Sequence, residues 1–73
     1  MTEIITIVLE NRKGRYYVHT KDIEGLFLWG SDKEQLLEDI PTAIEGLYHY
    51  NKNQDVKVSL LSNEVNRYVY TVD

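Results

Sequence analysis

His19, His49 and a scatter of carboxylates are the side chains here best suited to hold a metal or move a proton. The carboxylates that attract attention are Asp22, Glu24, Asp32, Glu34, Glu38 and Asp39. A metal pair of histidines normally sits at short fixed spacing on one helix or strand, and these two are thirty residues apart with no HxH or HxxxH pattern. The bland reading places His19 on a strand surface and His49 at a helix end. Cysteine is absent, which removes thiolate metal sites, disulfides and a cysteine nucleophile. No Gly-rich phosphate loop and no serine-nucleophile motif occurs. The residues therefore point to no enzyme, no cofactor and no metal site.

The elements that would have to position any site are few. Seventy-three residues make one domain, 1–73, near the lower limit of self-sufficient folding. Hydrophobic residues are 42% and charged residues 27%, which is globular rather than disordered composition. The formal charge is -4, and no basic run longer than Arg12-Lys13 occurs. A nucleic-acid binder gathers several cations on one face, so direct nucleic-acid binding is not expected of this chain alone. Met1-Thr2-Glu3-Ile4 lacks the basic start and long apolar run of a signal peptide, and no stretch approaches the roughly 20 apolar residues of a membrane span. A cytoplasmic location is the expectation.

Residues 3–10 are rich in β-branched types and carry apolar side chains at both parities. This predicts a strand covered on both faces and central in its sheet. Asn11-Arg12-Lys13-Gly14 reads as a hairpin connection. Arg15–Thr20 is a second strand, 21–25 a loop, and Leu26–Trp29 a short third strand. Residues 31–50 carry the one strong helix signal. Ser31 with Glu34 forms a capping box, and Leu36, Leu37, Ile40, Ala43, Ile44, Leu47 and Tyr48 recur at spacings of three and four. Pro41 predicts a bend or break near 39–41. Val56–Leu61 alternates as a fourth strand, 62–64 is a turn, and Arg67–Val72 has the composition of a further strand.

The fold class is therefore α+β, in the order β-β-β-α-β with a last β possible. One main helix packs on one face of a mixed, mostly antiparallel sheet. A right-handed crossover would bring the fourth strand beside the first, giving spatial order 3-2-1-4.

The stretch 15–51 resembles the HicB-like antitoxin family and a related bacterial family of short uncharacterised proteins. Arg15-Tyr16-Tyr17-Val18 stands where those proteins have a Gly-Tyr-Trp-Val-type strand. Asp22-Ile23-Glu24-Gly25 stands at their Asp-Leu-Pro-Gly loop. Gly30-Ser31-Asp32 with Glu34 stands at their helix start. Glu24 replaces the loop Pro, and Leu26 replaces a common Cys. The resemblance implies a partial ribonuclease-H-like fold, self-association, and capping of a small basic toxin ribonuclease. HicB antitoxins usually carry a DNA-binding segment after this domain. Only about a dozen residues follow the fourth strand here, so repression would need another chain.

On this reading the chain is an antitoxin-like protein-binding module. Asp22, Glu24, Asp32 and Glu34 would attract a basic partner, mainly by speeding encounter. Tyr68, Tyr70 and Val72 share one face of the terminal segment. The segment would either extend the sheet within the chain or pair with a second copy by strand addition, and the second is favoured, which makes these residues the candidates for homodimer formation. Two alternatives stay open. One is a stand-alone structural dimer. The other is a metal-dependent nuclease-like or ligand-binding domain, whose only acids on the central strands are Glu3 and Glu10.

Overall fold

The computed structural model describes residues 2–73. Strand β1 (Glu3–Arg12) turns at Lys13-Gly14 into β2 (Arg15–His19), followed by a loop and a two-residue β3 (Trp29–Gly30). Helix α1 (Lys33–Lys52) follows, then β4 (Val58–Glu64) and β5 (Arg67–Val72). The sheet is five-stranded, in order β3-β2-β1-β5-β4, and every neighbouring pair is antiparallel.

This corrects the expected mixed sheet of order 3-2-1-4. The strand beside β1 is β5, and β4 is the outer edge. The physical reason is that β4 and β5 form a hairpin and dock as one unit. The interior place then goes to the strand with the stronger buried alternation. Tyr68, Tyr70 and Val72 of β5 are all buried, whereas β4 is exposed at every residue except Val58, which is half-buried.

The same burial corrects the self-association reading of those three residues. In register Tyr68 lies opposite Ile7 and Tyr70 opposite Ile5, so they share the sheet face that meets the helix in their own chain. They are core, and not a surface for a second copy.

Helix α1 buries Leu36, Ile40, Ile44 and Tyr48, one side chain per turn, with Leu37, Ala43 and Leu47 half-buried beside them. The cap is Asp32 rather than Ser31: its carboxylate accepts the Gln35 N–H at 3.2 Å. Glu34 lies in the first turn, where the helix dipole favours an acid. Of the bend or break expected near Pro41, the break does not occur: the helix is continuous through it. Asn53 ends it in the left-handed conformation, its N–H on His49 O at 3.1 Å. Below the helix lie Ile5, Ile7 and Leu9 of β1 and Val18 of β2.

Two core tyrosines give the fold a pH dependence. Burial pushes the Tyr70 hydroxyl up from its ordinary value of 10.0, reinforced by Tyr68. Tyr48 is also raised, by burial and by the hydrogen bond it donates to Glu3 Oε2 at 3.0 Å. Both protons are held more tightly folded than unfolded. Their stabilising contribution is thus whole below about pH 10 and is lost as pH rises through the folded values. The thermal midpoint should fall above pH 10, and Tyr48→Phe with Tyr70→Phe should flatten that fall. An unchanged slope in the double variant would refute the assignment.

Candidate functional site

The helix covers one face of the sheet and leaves the other open. Strand register places Ile4, Thr6, Val8, Glu10 and Arg12 of β1 on that face. Arg15, Tyr17 and His19 of β2 lie beside them, and Trp29 lies opposite Tyr17. On the other side β5 contributes Arg67, Val69 and Thr71. Open antiparallel faces are usually polar. Here Ile4, Val8 and Trp29 are exposed, and Phe27 in the preceding loop is 79% exposed. A groove of about 640 Å³ runs between Thr6, Val8, Tyr17, His19, Asp22 and Phe27.

The polar side chains of this face are tied to one another. Glu10 accepts from Arg12 Nε at 2.8 Å and pairs with His19 Nε2 at 2.7 Å. The Arg12 contact first, and the His19 contact second, hold the Glu10 carboxyl below its ordinary range. The Arg12 guanidinium also lies over the Tyr17 ring at 5.3 Å, and Arg15 lies over Trp29 at 5.1 Å. Arg15, Lys21 and Arg67 have no carboxylate within ion-pair distance among the described residues. The face therefore joins exposed apolar side chains to a rim of both signs, with Arg15 and Lys21 outside any ion pair, Arg67 across from Glu64, and Asp22 at the groove.

The four acids singled out from sequence do not form one patch. Asp22 caps the edge of β1 where β2 has ended: its Oδ2 accepts the Thr6 N–H at 2.8 Å. Asp32 is spent on the helix cap. Gly25 has a φ of +86°, and a Cβ there would come within 3.3 Å of Leu47, so the loop bearing Asp22 and Glu24 packs near the far end of the helix. Glu34 lies thirteen residues earlier on that helix, about 20 Å along its axis at 1.5 Å per residue. Glu24 and Glu34 remain exposed, at separate places.

The two histidines are also apart. His19 pairs with Glu10 on the open face, and His49 Nδ1 pairs with Asp55 at 3.1 Å beside the helix end. Glu3 and Glu10 are seven residues apart on one strand, about 23 Å by strand rise, and their odd and even positions point them to opposite faces. They cannot share one divalent ion, so the nuclease-like alternative has no paired carboxylates on its central strand. Among the described residues no three His, Asp or Glu side chains gather to hold a metal.

Sequence reasoning missed the open face because it read both sides of β1 as covered. The available signal was the helix count: one helix can cover only one face of a sheet. Comparison with protein-family models, curated proteins and solved structures finds no match for this chain.

Proposed function

We propose that this chain is a protein-binding module whose working surface is the open face of the sheet. The observation that carries the reading is a set of exposed large apolar side chains on this side of the sheet, Ile4, Val8, Phe27 and Trp29, of which Val8 and Phe27 line the groove. Contiguous exposed apolar surface rimmed by polar groups is characteristic of association sites. Aromatic and arginine side chains are the residue types that most often anchor such contacts. Arg15 and Lys21, which make no ion pair among the described residues, fit a partner that brings an apolar anchor flanked by carboxylates.

A second reading keeps the antitoxin resemblance in its stricter form, with a small basic toxin as partner. Its support is the outer side of α1, where Glu34, Glu38 and Asp39 are exposed. The two readings use opposite sides of the molecule, and this separates them. The products of the genes flanking the source gene are expressed singly and titrated against the chain by calorimetry. Val8→Glu and Trp29→Ala should each weaken a bound partner at least tenfold, with Glu38→Lys near wild type. The reverse pattern would favour the basic partner on the helix. A partner bound equally well by the combined Val8→Glu, Trp29→Ala variant would remove the open face from consideration.

A further inference from the structure

The two edges of the sheet are not alike. At one side β3 is only two residues long, so it offers almost no free backbone. At the other, β4 runs for seven residues with neither Pro nor an inward charge, and among the described residues its outer edge is unpaired. Such an edge is a template for another strand.

The register of β4 shows what it presents. Lys57 and Asp73 exchange both backbone bonds, Lys57 N–H to Asp73 O at 2.8 Å and Asp73 N–H to Lys57 O at 3.0 Å. In an antiparallel ladder the next residue points its N–H and C=O the other way. Val58 and Leu60, opposite Val72 and Tyr70, therefore aim theirs at solvent. A bulge between Leu60 and Ser62 inserts Leu61, after which Asn63, opposite Tyr68, is again outward. The bulge has a second effect. Lys57 and Glu64 are seven residues apart and would lie on opposite faces of a regular strand. The extra residue returns both to the open face, Lys57 across from Asp73 and Glu64 across from Arg67.

We infer that β4 pairs with β4 of a second copy of this chain about a twofold axis at Leu60, making a continuous ten-stranded sheet. With Leu61 set aside by the bulge, this register faces Leu60 with its own copy and Val58 with Asn63. All of these are positions whose backbone groups point outward. The same register sets Lys57 against Glu64 at both ends, so the only two charges at the ends of the edge meet with opposite sign. A parallel pairing would set like against like. Leu60 and Leu61, 52% and 60% exposed, supply the apolar contact, with Leu60 on the helix side of the sheet. The association is independent of the open-face reading, since it uses the edge and not the face. Seven residues a side fall short of the 20–30 that line a standard stable interface, so dissociation in the micromolar range is expected.

Sedimentation equilibrium of the full chain from low micromolar to millimolar concentration tests this. The mass should rise from the 8.6 kDa monomer toward twice that value. Leu60→Pro removes an outward N–H and leaves the bonds to β5 in place. It should hold the chain at monomer mass with an unchanged far-ultraviolet spectrum. Lys57→Glu sets two acids together at each end and should raise the dissociation constant about tenfold, and adding Glu64→Lys should recover most of the loss. Should Leu60→Pro fail to fold, the charge pair alone decides. A wild-type chain that stays monomeric to millimolar concentration overturns the proposal. So does a dimer whose dissociation constant Lys57→Glu leaves unmoved.

Discussion

Deleting residues 65–73 is expected to abolish the cooperative fold. The segment contains β5, which lies between β1 and β4, and it carries Tyr68, Tyr70 and Val72 of the buried core. Burial of three such side chains contributes about 5–9 kcal/mol at 1.5–3 kcal/mol each, as an upper estimate. A domain of 73 residues has a total stability of about 4–11 kcal/mol at 0.05–0.15 kcal/mol per residue. The loss is thus as large as the whole. It is compounded because β4 loses its neighbour β5 in the sheet and the apolar edge of β1 is opened. The truncated chain should show collapsed amide dispersion by NMR and no thermal transition by circular dichroism. A dispersed spectrum with a sharp transition would mean that β5 is not the interior strand.

The second large effect is Ile40→Ala. Ile40 is fully buried at the middle of the helix stripe, between Leu36 and Ile44. Removing its outer methyls takes away their transfer energy and leaves a cavity that rigid neighbours only partly fill, together about 2–5 kcal/mol. Ile40→Val should cost only about 0.5–1.5 kcal/mol. The comparison that gives this meaning is Ile4→Ala. Ile4 is the same residue type but is 51% exposed on the open face, and its loss should change stability by no more than about 0.5 kcal/mol. Urea midpoints at constant slope measure all three. Equal shifts for Ile40→Ala and Ile4→Ala would contradict the division of the sheet into a covered and an open face.

That pair of isoleucines also marks how far the fold was legible from sequence. The helix was readable because its apolar stripe has the period of a helix and nothing else, and four of its seven members are buried. Its start was read one residue early. Ser31 and Asp32 are both good caps, and only the backbone shows which one is used. The centrality of β1 was read correctly but from a premise that fails: Ile4 and Val8 implied a second covering layer, and both side chains are exposed. The strand order was missed because the crossover rule was applied to the next strand in the chain. A hairpin offers two candidates for the interior place, and burial chooses between them. The alternation of Tyr68, Tyr70 and Val72 was visible, but its meaning depended on knowing that the β4–β5 turn is Val65-Asn66.

The site was less legible than the fold. Asp22 and Asp32 drew attention as acids, yet each is committed to a backbone N–H within the chain. Short polar side chains near turns are commonly employed this way. The residues that form the open face, Arg12 over Tyr17 and Arg15 over Trp29, come from β1, β2 and β3 and are brought together only by pairing.

Because Glu3 pairs with Val72, the first strand finds its long-sided neighbour only after almost seventy residues of intervening chain have been made. The β1–β2 hairpin and the helix can form from local contacts, but their shared apolar surface stays incompletely roofed until β5 docks. Topologies closed by such distant pairings fold on the slower side for their size. The docking of β5 is thus the step before which the most apolar surface stands uncovered.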